Sequence, residues 1–446
     1  MGLLKFLDLS LNPEAASVRP ITRTSRVQCL LLSQTNEEHA VSFKLTKSPL
    51  FARRLTICNE MTTVAAHVPL EVVILIMEAA YYDDQYTVDI DLLRTCSLVC
   101  RDWATPAQQL LFRQVSLTSH SACKAFLDAT NPSTDRGCML ADSVLRMRVT
   151  IDHNQPFGLS PESFALAVAQ CPNLYELNLS LYGSGAPGQD IIGSPDVQRM
   201  QRAAPAFKDS TLKLLKSGPS ITALHFTNWS DNRHSLLQLI DVWPSLKSLS
   251  ISGNAPELRS PSPEPFPCAL HEFHMNFQTS PSSTFLKWLL HNSVDSLRVV
   301  GFAREPPADV VDYLINTHSE TLESVTLPTW SGAHSRALQK CQNLREFGVE
   351  NVSNAGSGLR GLSPHIEHLA FGLDKNTSMP TILEVVKTRR CLNTVTVHVW
   401  DGGQHHLQLA SLQIACACRG IDLRLTHDIA VFRTMIVSLI SHIVVE

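Results

Sequence analysis

Apolar residues recur along most of the chain in one short pattern, apolar-x-x-apolar-x-apolar. The clear copies are LYELNL at 174, ITALHF at 221, LKSLSI at 246, LHEFHM at 270, VDSLRV at 294, LESVTL at 322, LREFGV at 344, IEHLAF at 366 and LNTVTV at 392, with fainter copies starting at Phe112, Val144 and Cys418. The last two apolar positions of a copy point to one side of an extended strand, and the polar residues beside them point to the other. The pattern therefore predicts short strands with one buried face and one free face.

The spacing of these copies predicts how the strands are joined. Most steps between starts are 22 to 28 residues, within or near the period of leucine-rich repeats. Helix signals lie between the copies, after Ser160-Pro161, over 309–316 and at Pro380. One strand-plus-helix unit cannot bury its apolar side alone, so the units must stack. The sequence predicts an α/β solenoid of leucine-rich repeats with a curved parallel sheet.

Two segments interrupt the period. The step from 174 to 221 is 47 residues long, and it indicates either an inserted loop followed by a helix around 206–215 or a degenerate extra repeat. The stretch 256–267 is rich in proline and predicts an irregular loop. Its Ser260-Pro and Ser262-Pro pairs are open to two interpretations, phosphorylation sites or plain surface loop.

Residues 68–116 carry three helix signals before the clear repeats begin. Pro69 suits a first helical position, and the following residues Val73, Ile76, Met77 and Ala80 predict one continuous apolar face. A second helix is predicted to begin near Asp89 or Asp91, with an apolar stripe of Leu92, Cys96, Val99 and Trp103. Thr105-Pro106 predicts the start of a third, short helix that runs through Leu111.

This helical segment resembles the F-box family over about 50 of the 446 residues. The resemblance is carried by Pro69-x-Glu71, Asp91-Leu92-Leu93, the run Leu98-Val99-Cys100-Arg101-Asp102-Trp103 and the tail Leu111-Phe112-Arg113. Followed by leucine-rich repeats, the segment is similar to the substrate receptors of cullin–RING ubiquitin ligases, in the style of the large fungal F-box sets. The chain departs from the family at Val68, where Leu is usual, and in the longer connection YYDDQYTVD.

The resemblance implies that two parts of the chain bind different partners. The helical unit would bind a Skp-type adaptor and, through it, a cullin, with contacts or supports from Pro69, Leu70, Leu93, Leu98, Val99 and Trp103. The repeats would hold a protein target, whose identity the sequence does not give. Ubiquitin transfer would then be accelerated by tethering, without a catalytic group on this chain. The alternative is a repeat scaffold whose helices only cap the solenoid.

The predicted domain organisation has four parts. An extension without a clear repeat covers residues 1–66, the F-box-like helical unit covers 67–116, and the solenoid covers 117–428. The apolar run 429–446 is predicted to cap the last repeat, because an open end would expose an apolar edge.

Composition narrows the classes of partner and the compartment. With 37 Lys+Arg against 41 Asp+Glu the formal net charge is −4, which argues against a nucleic-acid partner. The apolar run near the C-terminus is short for a membrane span and broken by Arg433 and His442, so no membrane partner is expected. Twelve scattered cysteines and no secretory signal favour reduced thiols and a cytoplasmic and/or nuclear protein.

No enzyme or cofactor signature accompanies the repeats. The usual hydrolase and nucleotide motifs do not occur, so we expect no catalytic residue and no cofactor. His271-Glu272-Phe273-His274 lacks the i, i+4 histidine spacing of a zinc helix, and His405-His406 has no acidic or thiol ligand nearby in sequence. We expect no metal at either place.

The free faces of the predicted strands locate the target surface. Polar positions beside the apolar pairs should line the inside of the sheet, and the target-binding candidates among them are Glu176, His225, Glu272, His274, Arg298, Glu346 and His368. Their charges are mixed, which favours a protein or peptide over a polyanion. Trp229, Trp330 and Trp400 lie at or beyond strand ends and are either interaction anchors or packing residues.

Overall fold

The computed structural model describes residues 69–82, 88–184, 202–258, 264–279, 281–330, 332–352 and 357–433. All strands belong to one 12-stranded sheet in which the order in space is the order in the chain. The strands are β1 Gln114–Leu117, β2 Arg146–Asp152, β3 Glu176–Tyr182, β4 Ala223–Trp229, β5 Ser248–Gly253, β6 Glu272–Phe277, β7 Val299–Phe302, β8 Ser324–Thr329, β9 Glu346–Asn351, β10 His368–Leu373, β11 Thr394–Val399 and β12 Asp422–Thr426.

Helices precede the sheet and connect its strands. They are α1 Leu70–Ala79, α2 Ile90–Cys96, α3 Arg101–Arg113, α4 His120–Ala129, α5 Asp135–Asp142, α6 Pro161–Ala169, α7 Asp209–Lys216, α8 Ser235–Ile240, α9 Ser283–Leu289, α10 Ala308–His318, α11 Gly332–Leu338, α12 Met379–Thr388 and α13 Leu409–Arg419. Short 3-10 turns occur at His291–Ser293, Ser357–Gly361 and Gly403–His405. Within the described ranges, no helix has the length and apolar character needed to span a bilayer.

Every adjacent pair of strands is parallel, and equivalent positions of the repeat meet across the sheet. Leu177 of β3 pairs with Leu224 of β4, which pairs with Leu249 of β5 and so on to Phe273 of β6. These side chains are buried, and the residues that alternate with the buried positions along each strand are partly exposed. The α/β repeat architecture predicted from the pattern is therefore confirmed. We call the side of the sheet that carries the alternating positions, such as Glu176 and Asn178, the open face.

The long step between residues 174 and 221 is an insertion and not an extra repeat. β3 pairs directly with β4, so no further strand of the sheet lies between them. α7 follows the insertion where a helix was predicted, whereas residues 185–201 lie outside the described residues. In the proline-rich stretch, the described residues 256–258 and 264–267 have no helix or strand, and Ser260 and Ser262 lie outside the described residues.

Two strand positions differ from those predicted. β7 begins at Val299 and places Gly301 opposite His274. The copy of the pattern that forms this strand is therefore LRVVGF from Leu297 and not VDSLRV from 294. Both frames fit the pattern, because Val294, Leu297 and Val299 supply the apolar positions of one and Leu297, Val300 and Phe302 those of the other. β12 likewise starts at Asp422 and aligns with Thr394, two residues later than the copy placed at Cys418 would allow.

The helical unit contains three helices, but the second and third are divided differently from the prediction. α2 is capped by Asp89, whose side chain accepts from Leu92 N at 3.0 Å, and it ends at Cys96. Cys100 is extended, with φ −159° and ψ 173°, and α3 then runs from Arg101 through Pro106. The predicted stripe through Val99 and Trp103 is thus broken by a turn. Inside α3, Pro106 cannot donate a helical hydrogen bond, but the helix continues past it.

The described residues from Leu70 onward belong to one compact unit with a continuous apolar core from Val73 to Ile421. The boundary predicted between residues 116 and 117 falls inside β1. β1 pairs with β2 and starts directly after α3, so the helices join the sheet without a linker. Residues 1–66 lie outside the described residues.

Candidate protein-interaction surfaces

The helical unit buries one side and leaves several large apolar side chains exposed. Val73 and Met77 of α1 are buried, each 2% exposed, and Leu93 of α2 is fully buried. The exposed residues, which we call the helical apolar residues, are Leu70 at 39%, Leu75 at 63%, Ile76 at 51%, Leu98 at 72% and Val99 at 57%. Exposed apolar side chains of this size are typical of interaction sites when several occur in one small unit.

The predicted adaptor residues divide into two groups by their burial. Pro69, Leu70, Leu98 and Val99 are exposed and available to a partner, and Trp103 is half-buried against the core. Leu93 is part of the core, so it supports the unit and cannot itself contact an adaptor. Ile76 was predicted to share one apolar face with Val73 and Met77, but it is exposed whereas they are buried. Leu75 was missed, although a run of six apolar residues from Val72 to Met77 is too long for one buried stripe.

On the open face, Arg146, Glu176 and His225 form a chain of polar contacts across β2, β3 and β4. Arg146 Nε lies 3.0 Å from Glu176 Oε2, and His225 Nε2 lies 3.6 Å from Glu176 Oε1. Arg146 also donates to the hydroxyl groups of Tyr175 and Tyr82, each at 3.1 Å. Burial lowers the pKa of His225, and the Glu176 carboxylate opposes this effect. The result is a pre-ordered polar surface of mixed charge.

Glu272 and His274 form a second paired group on β6. His274 Nε2 lies 2.8 Å from Glu272 Oε1, and Ser248 Oγ donates to Glu272 Oε2 at 2.8 Å. Burial alone would raise the pKa of Glu272, but the hydrogen bonds from His274 and Ser248 outweigh it and the pKa is lowered. Gly301 lies beneath the ring, since a Cβ there would come within 2.2 Å of His274 Nδ1. The glycine therefore makes room for the histidine.

Glu346 and His368 are also neighbours, but both are buried. Their nearest atoms are 3.9 Å apart, and the residues are only 6% and 2% exposed. Burial raises the pKa of Glu346 to about 7, helped by the charges of Glu367 and Glu323. Burial and the Arg424 charge lower the pKa of His368 to about 4. Between about pH 4 and pH 7 both side chains are therefore mostly neutral in spite of their ion-pair distance. His368 Nε2 instead lies 2.9 Å from Thr396 Oγ1.

The raised pKa of Glu346 predicts a pH-dependent stability. The stabilisation of the folded state by neutral Glu346 is fully present below the ordinary carboxyl pKa. It is lost as the pH rises through about 7, because the folded protein then buries a charge. Glu346→Gln keeps the neutral form at every pH. At pH 8 we expect the free energy of unfolding of the variant to exceed that of wild type by on the order of 2 kcal/mol. At pH 4.5 we expect little difference between the two.

Urea unfolding at both pH values measures this effect. Glu257→Gln is the matched control, because Glu257 is 66% exposed in its side chain, pairs with Arg233 at the surface and does not act on the pKa of Glu346. The control should change stability by less than about 0.5 kcal/mol at either pH. An unchanged pH dependence in Glu346→Gln would contradict the assignment.

Arg298 is not on the open face. The shift in β7 places it one residue before the strand, where its side chain pairs with Glu323 at the amino ends of the strands. The prediction of Arg298 as an open-face residue is therefore wrong, and Val299 and Gly301 take the two positions instead. Of the other candidates, Glu176, His225, Glu272 and His274 remain accessible on the open face, while Glu346 and His368 are closed off.

The described start of the C-terminal apolar run contacts the open face. Residues 429–433 are helical, and Phe432, which is fully buried, packs against Ala370 of β10. Arg433 binds the carboxylate of Glu350 with Nε at 2.6 Å and NH2 at 2.9 Å. A cap over the edge of the last repeat was predicted, whereas these residues lie on β9 to β11. Residues 434–446 lie outside the described residues.

The remaining candidate residues are the possible metal ligands, the cysteines and the tryptophans. No group of three or more His, Cys, Asp or Glu side chains there is arranged to hold a metal ion. The cysteines of the described ranges are free thiols. Trp330 is 4% exposed and packs edge-on against Phe347 at 4.9 Å, so it is a packing residue. Trp229 is half-buried at the end of β4, in register with Tyr182.

Comparisons with known proteins do not assign this chain to a family. No protein-family model matches the chain, and no curated protein matches it. Among solved structures, the crystal structure of a TLR13–ssRNA13 complex is similar at 13% sequence identity and a TM-score of 0.30, over 58% of this chain. The chain covers 40% of that protein's length.

Proposed function

We propose that this protein is the target-binding subunit of a cullin–RING ubiquitin ligase. In this proposal the helical unit binds a Skp-type adaptor, the adaptor links the chain to a cullin, and the open face of the repeats binds a protein target. The chain itself supplies no catalytic group. Its contribution is to hold the target near the ubiquitin-charged enzyme, which raises the effective concentration of the target's lysines.

The observation that carries this proposal is the apolar surface left exposed by the helical unit. Helices that served only to cover the end of the solenoid would turn their large apolar residues toward the first repeat. Leu98 and Val99 instead lie in the turn between α2 and α3 with more than half of their surface exposed. They belong to the run that resembles the F-box family, and apolar side chains of this kind are suited to form the centre of a protein interface.

The mixed polar open face supports a protein target. The charged residues Glu176, Glu272 and Arg146 lie among histidines and serines, and most are already paired or hydrogen-bonded. Such a surface offers both donors and acceptors in fixed positions, which favours the specific recognition of a protein segment over that of a uniform polyanion. The alternative function is a repeat scaffold without an adaptor, and it shares this surface.

An adaptor-binding assay separates the two functions. We expect purified full-length protein to bind a purified Skp-type adaptor, and Leu98→Asp/Val99→Asp to weaken binding by at least about 100-fold, because two charges would be buried in an apolar interface. Isothermal titration calorimetry gives the affinities. Point variants are preferable to a truncation at residue 117, which would cut through β1.

The matched control is Leu407→Asp, at an apolar side chain that is 96% exposed before α13. It adds a charge to the surface without touching the helical unit, so adaptor binding should stay at the wild-type level. If the folded wild-type protein binds no adaptor, the ligase function is excluded and the scaffold function remains.

A further inference from the structure

The C-terminal helical segment, residues 428–433, is anchored to the open face by two adjacent side chains. Asp428 starts the turn, since its Oδ1 accepts from Ala430 N at 2.7 Å and its carbonyl accepts from Phe432 N at 2.9 Å. This turn presents Phe432 to Ala370 and Arg433 to Glu350. The segment therefore binds the sheet through an aromatic residue followed by an arginine.

The apolar half of this site is built for close approach. Ala370 and Gly372 follow His368 at the open-face positions of β10, so the floor of the site beyond His368 has almost no side chains. The ring of His398 on β11 lies 5.7 Å from that of Phe432 and 4.2 Å from that of Trp400. Trp400 reaches across β10 and donates to Glu350 O at 3.1 Å. Ala370 and His398 therefore line the position of the Phe432 ring, and Trp400 packs against His398.

The charged half of the site is a single buried carboxylate. The side chain of Glu350 is 10% exposed, and both of its oxygens accept hydrogen bonds from the guanidinium of Arg433. A bidentate pair of this geometry favours arginine over lysine, because only the planar guanidinium can meet both oxygens at once. Without a cation, Glu350 would be a buried and uncompensated charge.

We propose that residues 428–433 are an internal ligand of the open face, and that the site recognises an aromatic residue followed by arginine. A protein target that presents this pair displaces the segment and takes its place on β9 to β11. The inference deepens the proposed function, since it rests on the open face as the target surface. The segment is tethered to its site, so its effective concentration is in the millimolar range and a target must compete with it.

Peptide binding to the full-length chain tests this inference. The probe is a fluorescent peptide with the sequence of residues 428–435, Asp-Ile-Ala-Val-Phe-Arg-Thr-Met. In fluorescence polarisation, Phe432→Ala/Arg433→Ala should bind the probe at least about 10-fold more tightly than wild type, because the internal competitor has been removed. Adding Glu350→Gln to this variant should remove most of that gain, and a probe with Glu in place of its arginine should not bind.

The controls separate this inference from the adaptor proposal. Arg390→Ala removes an exposed arginine after α12, on the helix side of the repeats, and should leave probe binding at the wild-type level. Adaptor binding by the helical unit should be the same in all these variants. If the double variant does not fold, Arg433→Ala alone is measured, with an expected gain of about 3-fold or more. A folded variant that binds the probe no more tightly than wild type overturns the inference, whatever the adaptor assay gives.

Discussion

Replacing Phe273 with alanine is expected to lower the free energy of unfolding by about 3–5 kcal/mol. Phe273 is fully buried in β6, between Leu249 of β5 and Val300 of β7, and its ring faces the helices. Alanine would remove the apolar surface of the ring and leave a cavity in the middle of the solenoid. Urea unfolding followed by far-ultraviolet circular dichroism measures the change.

Ser250→Ala is the matched control for this prediction. Ser250 lies one strand away from Phe273 but on the open face, where it is half-exposed. We expect a change of less than about 0.5 kcal/mol there. Because one continuous core joins the helical unit to the repeats, the Phe273 variant should shift the whole unfolding transition. A loss below about 1 kcal/mol would show that the core relaxes around the cavity.

Replacing Gly372 with alanine is expected to destabilise the fold by about 2–4 kcal/mol. A Cβ at this position would come within 1.9 Å of Glu350 O and 2.5 Å of Trp400 Nε1. The first atom belongs to the backbone of the neighbouring strand and cannot easily move. The indole would have to leave, and the hydrogen bond from Trp400 to Glu350 would be lost. The same urea titration measures the loss.

Gly218→Ala separates this clash from the general effect of adding a methyl group. A Cβ at Gly218 would meet its nearest atom, Leu215 O, at 3.2 Å, a contact that a small adjustment relieves. We expect a change of less than about 1 kcal/mol for this control. Equal losses in the two variants would argue that the crossing of Trp400 over β10 adds nothing to stability.

The strands of the sheet could be predicted from the sequence because every repeat has its apolar residues at the same positions. Each strand offers the same pair of buried positions, and a short-range pattern of six residues is enough to place it. The sequence alone does not give the frame of β7, because VDSLRV from 294 and LRVVGF from 297 fit the pattern equally well. Only pairing with β6 and β8 decides between them, and that pairing is a long-range property.

The candidate sites show the same division between local and long-range information. Glu176, His225, Glu272 and His274 follow directly from the period and lie where the period places them. The contact between Arg433 and Glu350 joins residues 83 positions apart, and no periodic pattern in the sequence predicts it. The exposure of Leu75 and Ile76 depends on which side of α1 meets the core. Helical spacing gives the faces of a helix but not the direction of its neighbours.

The two surfaces belong to opposite ends of the strand order. The helical apolar residues precede β1, and the site of the C-terminal segment is formed by β9, β10 and β11. Variants at one surface leave the side chains of the other untouched. The proposed adaptor binding and the proposed target binding can therefore be tested independently in one full-length protein.

Pairing of each strand with the one before it also has a consequence during synthesis. A nascent chain can add one repeat at a time to a sheet that already exists, because no strand waits for a partner encoded further on. Phe432 and Arg433 are the exception, since they return to β9 and β10 only after β12 has been made. Until the ribosome has released them, Glu350 lacks its guanidinium partner. This site is therefore completed only after the last described strand has joined the sheet.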